Sequence, residues 1–318
     1  MKKPLIFIWL DNPEPYVDVI AACGLLEQVE LLILNKDTEI PESDLARIDA
    51  LIAWNVPEPL LLSMPRLKWI QTLSVAVDSW LVRKDLESHI VLTCARGVHN
   101  IQMPETIIGS LLYVTRGFDV LAENQKKHCW DRSPPEPLYG KTLGILGLGT
   151  VGQEVARKLS PFGMRIIGTK QKPKDLENID QVYGPDRVDE VLAQADFVLL
   201  QLPVTPETEN LINKDRLRSM KSSAYLLNFG RGQAIVDDDL VEAINSKWIR
   251  GAILDVFRQE PLPPDHKFWD TEGIILLPHI GGMHPQRDSL VAELFVKNLA
   301  AFIKGEAQTG VVDFNKGY

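Results

Sequence analysis

Short apolar runs alternate with helix-like stretches along the whole chain. In the first hundred residues the runs are Leu5–Leu10, Val29–Leu34, Ala50–Trp54, Leu67–Leu73 and Ile90–Thr93. Most place apolar residues at consecutive positions, the pattern of strands covered on both faces. The gaps between them are long enough for crossover helices, so the pattern predicts a parallel α/β unit. The stretch Ile101–Leu121 follows, with apolar Ile107, Ile108, Leu111, Leu112 and Val114 and with Pro104 near its start. This spacing predicts one long helix. Residues Lys126–Tyr139, rich in Pro, Lys and Trp, show no periodicity and read as a linker or arm. A second α/β series opens at Lys141. Its expected strands are Thr142–Leu146, Arg165–Gly168, Phe197–Leu202, Ala224–Phe229, Ala252–Val256 and Ile274–Leu277, with helices such as Gly152–Phe162 and Asp237–Ser246 between them. Gln286–Lys304 reads as a closing amphipathic helix.

The length, 318 residues, suits two domains of roughly 150 residues each. A composition of 45% hydrophobic and 24% charged residues is that of a folded globular chain and excludes a disordered one. The net charge of −9 repels phosphate backbones, so no nucleic-acid partner is expected, and any anionic ligand must be held by local basic groups. Three cysteines, Cys23, Cys94 and Cys129, form no close pair; neither a disulfide framework nor a metal site is expected from them. No apolar run reaches the length of a membrane span, and Leu5–Leu10 is too short for a signal peptide. A cytoplasmic protein with no membrane partner is the expectation.

Candidate chemistry begins at Gly147-Leu148-Gly149-Thr150-Val151-Gly152, between a predicted strand and a predicted helix. Gly147 permits the tight turn, Gly149 lets a pyrophosphate approach the backbone, and Gly152 lets helix and strand pack closely. The helix N-terminus adds free N–H donors and a partial positive charge. This context predicts dinucleotide binding. NAD-binding units place an acid about 20 residues on, at the end of the next strand. Here that region reads Gly168-Thr169-Lys170-Gln171-Lys172-Pro173-Lys174, without an acid and with three lysines. A hydroxyl and cations suit a 2′-phosphate, so NADPH is expected in preference to NADH.

Three further segments each follow a predicted strand: Leu227–Gly232 with Arg231, Leu254–Pro261 with Asp255 and Glu260, and Leu277–Gly282 with His279. In open parallel sheets ligands bind beyond the carboxyl ends of the strands. Arginine offers a planar, permanently charged fork for a carboxylate. Histidine can give or take a proton near neutral pH, and a carboxylate beside it fixes its tautomer and stabilises the imidazolium. With a nicotinamide, the set reads as reduction of a 2-oxo acid by hydride transfer. Singly, the bland readings stand beside this one: a surface arginine, a capping glutamate, a buried structural histidine.

In this order and spacing, Gly147–Gly152, Asn228–Gly232, Leu254–Pro261 and Pro278–Gly282 resemble the D-isomer-specific 2-hydroxyacid dehydrogenase family over nearly the whole chain. The Gln102-Met103-x-Glu105 segment and the tail Thr309–Asp313 with Gly317-Tyr318 resemble its glyoxylate/hydroxypyruvate reductase A group in particular. The resemblance implies two Rossmann/flavodoxin-like, doubly wound parallel-sheet α/β domains with a cleft between them. Residues 1–100 plus 286–318 would form a discontinuous substrate domain, and residues 101–285 an NADP-binding domain. It implies that Arg231 binds the 2-oxo acid, that His279 is the acid/base and that Glu260 is its partner. The implied cofactor-binding set is Gly147, Gly149, Thr150, Val151, Gly152, Thr169, Lys170, Leu202, Pro203, Asp255 and Gly281, with Asp255 near the nicotinamide carboxamide. Trp54 would stand near the substrate. Val75 and Ala76 belong to the loop Leu73–Asp78, whose backbone N–H groups would hold the substrate carboxylate, although Ala76 stands where the family usually has glycine. A homodimer, formed through the nucleotide domain and the arm before it, is also implied. The implied activity is NADPH-dependent reduction of a small 2-oxo acid, glyoxylate or hydroxypyruvate, to the D-2-hydroxy acid. Two alternatives stay open: a D-2-hydroxyacid dehydrogenase for a bulkier acid, and a dinucleotide-sensing binding protein.

Overall fold

A computed structural model describes residues 3–35, 37, 38, 40–314 and 317; Tyr318 of the tail motif lies outside them. The chain forms two compact units, Met1–Val98 with His284–Tyr318, and His99–Met283.

The first unit is built on strands β1 (Leu5–Trp9), β2 (Glu30–Leu34), β3 (Ile48–Ala53), β4 (Trp69–Thr72) and β5 (Val91–Thr93). They pair in parallel in the order β2-β1-β3-β4-β5, the flavodoxin-like winding. Side chains alternate across a strand, so one strand feeds two cores. Leu5, Phe7 and Trp9 of β1 enter one cluster with Leu51 and Ile70. Ile6 and Ile8 enter the other with Ala50, Ile52 and Trp69. That second core is closed by the helix Arg287–Lys304, which returns Val291, Ala292, Phe295 and Leu299 from the far end of the chain. Phe295 stacks on Trp69 with ring centroids 5.5 Å apart.

The second unit carries β6 (Thr142–Leu146), β7 (Arg165–Thr169), β8 (Gln181–Tyr183), β9 (Phe197–Leu200), β10 (Tyr225–Asn228), β11 (Gly251–Leu254) and β12 (Ile274–Leu276). The order is β12-β11-β10-β9-β6-β7-β8, again parallel throughout. Read from β8, this is the Rossmann winding extended by one strand, with its reversal of direction between β6 and β9. The same alternation operates: Leu143 and Ile145 face one core, Leu146 and Leu200 the other.

The long helix expected over Ile101–Leu121 is two helices, Gln102–Thr115 and Phe118–Lys126. Gly117 separates them in the left-handed region, φ 63. Only glycine enters that region without steric cost, and such a residue ends a helix. Beyond Lys126 the arm has no regular structure as far as Tyr139, and Trp130 within it is 91% exposed. Among the described residues no helix is long and apolar enough to cross a membrane.

Candidate functional site

All seven strands of the second unit are parallel, so their carboxyl ends share one edge. After β6 the chain turns through Gly147, Leu148 and Gly149 into the helix Thr150–Leu159. Gly147 has φ 105, and a Cβ on it would lie 2.4 Å from the Gln201 carbonyl oxygen. Gly149 differs: a Cβ there would meet nothing within 4 Å. No side chain caps this helix, so the first-turn N–H groups of Thr150, Val151 and Gly152 lack helical acceptors. Open space beside uncapped donors at the positive end of a helix fits a dinucleotide pyrophosphate. Gly152 lies against the turn, with space for a Cβ only 2.7 Å from the Gly147 oxygen.

Thr169 and Lys170 brace this turn from the end of β7. Gly147 N donates to Thr169 Oγ1 at 3.3 Å, and Leu148 N to Thr169 O at 2.8 Å. The position of the usual acid holds Lys170, whose Nζ donates to Leu148 O at 2.7 Å. Its ammonium is thus anchored at the turn instead of ranging over the surface. Leu202 and Pro203 follow β9. A Cβ on Gly230 would be 2.8 Å from Leu202 N, so the turn after β10 presses on Leu202. Pro203 O accepts from Thr208 Oγ1 at 2.6 Å.

The structure brings Glu260 and His279 into direct contact. His279 Nδ1 lies 2.6 Å from Glu260 Oε2, and Glu260 Oε1 accepts from Phe257 N at 2.9 Å. Both carboxylate oxygens are therefore used, and the imidazole is held by one nitrogen. Among the described residues Nε2 has no hydrogen-bond partner, and the side chain is half-exposed. His279 has φ 54, an uncommon backbone state for histidine. Its loop is fixed by Asp255, which is fully buried: Asp255 Oδ1 accepts from Ile280 N at 2.8 Å, and both its oxygens accept from Gly281 N at 3.0 Å. From the other side Gln102 Nε2 donates to Gly282 O at 3.0 Å. Arg231 stands just after β10, its Nη1 donating to Gly230 O at 2.8 Å. Buried Asn228 shapes that turn, donating to Arg231 O at 2.9 Å and accepting from Gly230 N at 3.1 Å.

Burial raises the Asp255 carboxyl above its ordinary value, against the opposing pull of the Ile280 and Gly281 N–H donors. A raised value in the fold means that folding binds a proton. The associated stability is present in acid and lost as pH rises through the folded-state value. Asp255→Asn keeps an acceptor without the buried charge. The difference in Tm between variant and wild type is expected to move in the variant's favour from about pH 4 to about pH 7. Thermal melts across that range check this, and a shift the other way would contradict it.

In the first unit, Trp54 follows β3 and is 45% exposed. Its carbonyl accepts from Trp80 Nε1 at 3.1 Å. In the loop after β4, Ala76 N donates to Ser74 Oγ at 2.9 Å. The Val75 N–H has no partner among the described residues. Arg287, at the start of the helix Arg287–Lys304, lays its guanidinium over the Trp54 ring at 4.2 Å.

A family model described as "D-isomer specific 2-hydroxyacid dehydrogenase, NAD binding domain" matches residues 108–281. The chain is 32% identical to a protein of Thermofilum pendens named glyoxylate reductase, over 98% of this chain and 95% of that one. The chain belongs to the D-isomer specific 2-hydroxyacid dehydrogenase family. Two solved structures in that family share the fold. One, a D-isomer specific 2-hydroxyacid dehydrogenase family protein from Aeromonas salmonicida, is 33% identical with a TM-score of 0.86, covering 98% of this chain and 100% of that one. The other is an NADPH-dependent glyoxylate/hydroxypyruvate reductase from Sinorhizobium meliloti in complex with NADP and sulfate. It is 28% identical with a TM-score of 0.88, covering 99% of this chain and 100% of that one.

As a 2-hydroxyacid dehydrogenase the chain needs a nicotinamide dinucleotide, and the open, uncapped turn at Gly147–Gly152 fits one. Three further residues support the site, and two of them, Asn228 and Arg258, lie inside the motifs without a role legible from sequence. Asn228 opens the Asn228–Gly232 segment, but its bracing role shows only in three dimensions. Arg258 donates through Nε to Ile235 O at 2.8 Å and through Nη2 to Gln233 O at 3.1 Å, tying the Glu260 segment to the turn after Arg231. Arg287 lies far along the chain from the Trp54 it covers.

Proposed function

We propose that this dehydrogenase reduces a small 2-oxo acid, glyoxylate or hydroxypyruvate, to the D-2-hydroxy acid with NADPH. The observation that carries the reading is the 2.6 Å contact between His279 Nδ1 and Glu260, at the same sheet edge as Arg231 and the glycine turn. When bound, the reduced nicotinamide supplies a hydride to the carbonyl carbon. Arg231 pairs with the substrate carboxylate and carbonyl through its fork. Negative charge gathering on the carbonyl oxygen is met by a proton from His279 Nε2, the nitrogen not held by Glu260. Glu260 keeps the ring oriented through its contact with Nδ1. The Val75 N–H offers a donor for the carboxylate; that of Ala76 would exchange Ser74 Oγ for it. Trp54 provides an apolar wall beside the substrate.

The domain roles follow the same reading: residues 101–285 bind the cofactor, and residues 1–100 with 286–318 bind the substrate. Half-exposed Phe118, Val120 and Leu121 and the exposed Trp130 give the second unit an apolar surface that suits a homodimer. Cys23, Cys94 and Cys129 are free thiols, which suits the reducing cytoplasm.

NADPH oxidation measured over a panel of 2-oxo acids tests the activity. Turnover with glyoxylate or hydroxypyruvate is expected, and absence of turnover on every acid with tight cofactor binding would refute it. The missing acid after Thr169 and the anchored Lys170 support NADPH over NADH. A charge-assisted contact is worth roughly 1.5–3 kcal/mol, so the preference in kcat/KM should exceed about tenfold. Lys170→Asp should lower NADPH efficiency far more than NADH efficiency. Equal efficiency of the wild type with both cofactors would defeat the assignment.

A further inference from the structure

Arg287 makes two contacts with one planar group. An edge of the guanidinium, Nη2, donates to Leu73 O, at the start of the loop that carries Val75 and Ala76. The face of the same group lies 4.2 Å from the Trp54 ring centroid. The neighbouring Nη1 donates to Asp288 Oδ1 at 3.0 Å, which limits rotation of the fork. Leu73 follows β4 and Trp54 follows β3, and these strands pair directly, with Ala53 opposite Thr72. Arg287 therefore bridges the carboxyl ends of two adjacent strands, the edge at which ligands of such sheets bind.

The two partners in this clamp differ in burial. The Arg287 side chain is 17% exposed, whereas Trp54 is 45% exposed. One indole face is covered by the guanidinium, and the residue as a whole stays partly exposed. Its backbone is held by Trp80, and among the described residues Arg287 makes the ring's cation–π contact. Lysine could keep the charge but has neither the flat face nor the fork. An arginine placed only to pair with Asp288, its immediate neighbour, would have no reason to reach Leu73 O and stack on Trp54 as well.

We infer that Arg287 is a positioning residue that sets substrate size: it fixes the Trp54 indole as a rigid wall, so that 2-oxo acids with no group or only a small one beyond the carbonyl carbon are accepted and branched or aromatic ones are refused. The inference rests on the proposed reading of Trp54 as substrate-facing. Freeing the indole lets it swing aside and admit bulk, while Arg231, Glu260 and His279 keep their places in the other unit.

The test compares glyoxylate with 4-methyl-2-oxopentanoate in the wild type, Arg287→Gln, Arg287→Lys, Trp54→Phe and the Arg287→Gln/Trp54→Phe double variant. Both Arg287 variants should lower the glyoxylate preference in kcat/KM at least about tenfold, chiefly through a lower KM for the branched acid. The double variant should add little to either single change, since both remove one wall. A preserved preference in folded Arg287→Gln, a full preference in Arg287→Lys, or additive effects would each overturn the inference. An independent arm reads Trp54 itself. The emission lost between wild type and Trp54→Phe reports on that indole, and acrylamide should quench it more in Arg287→Gln. If the wild type reduces neither acid, the proposed activity fails, and the quenching arm still decides Arg287: unchanged quenching overturns its role.

Discussion

Replacing His279 by glutamine is expected to lower kcat by on the order of 10²–10⁴, the worth of a positioned general acid. Cofactor affinity should stay near that of the wild type, because among the described residues the glycine turn, Thr169 and Lys170 are held by one another and not by the ring. Titration of NADPH fluorescence checks affinity, and steady-state reduction checks kcat. Glu260→Gln belongs to the same experiment. The amide can occupy the position of the carboxylate, whose oxygens take Phe257 N and face His279 Nδ1. It cannot offer a negative charge to an imidazolium, and it can present either an acceptor or a donor to Nδ1, so the ring tautomer is no longer fixed. A loss of about tenfold to a hundredfold in kcat is expected, smaller than that of His279→Gln. The decisive measurement is the double variant. If the two residues act as one unit, His279→Gln/Glu260→Gln should be barely slower than His279→Gln alone. Losses that multiply would mean that Glu260 acts separately, as a brace for the Phe257 backbone.

Much of this arrangement was legible in the sequence, because buried parallel strands announce themselves. The runs at Leu5, Ala50 and Thr142 are apolar on both faces, and the structure covers both faces with helices. The glycine turn was legible because its constraints are local: φ 105 at Gly147 and the open side of Gly149 follow from one short segment. The Glu260–His279 pair was legible for another reason. Both residues sit just beyond strand ends, and the parallel winding puts those ends on one edge.

What escaped the sequence has equally physical causes. β8 is only Gln181–Tyr183, at the edge of its sheet, with one buried residue in three. So short and half-exposed a strand carries no apolar run to detect. The break at Gly117 hid within an apolar stretch whose period looked continuous, although the glycine itself was the signal. Asp255 reads as a cofactor contact by resemblance. In the fold its carboxylate takes the Ile280 and Gly281 N–H groups, and no local pattern reveals a bond across 25 residues. The Arg287 clamp is harder still, since Leu73 and Arg287 are 214 residues apart. Only the return of the C-terminal helix to the first sheet makes them neighbours.

Arg231→Lys should lower kcat/KM by on the order of 10²-fold, although the charge is kept. In the fold the arginine backbone is fixed by Asn228, and its Nη1 is already committed to Gly230 O at 2.8 Å. That bond helps to orient the guanidinium plane. A 2-oxo acid presents a carboxylate oxygen and a carbonyl oxygen on adjacent carbons, and a fork can bind both at once. Lysine offers one compact charge on a flexible stem, so it can hold the carboxylate or polarise the carbonyl, but not both in register. Losing a charge-assisted bond costs roughly 1.5–3 kcal/mol, which sets the scale of the expected drop. The split between parameters is informative. A rise in KM alone would mean that Arg231 only binds the carboxylate, whereas a fall in kcat as well would mean that it also stabilises charge developing on the carbonyl oxygen. Both are expected here. Arg231→Ala should be more severe, and added guanidinium should restore part of its kcat if the fork acts directly on the substrate. Near wild-type kinetics for Arg231→Lys would show that this side chain does not touch the substrate and that the carboxylate is held elsewhere.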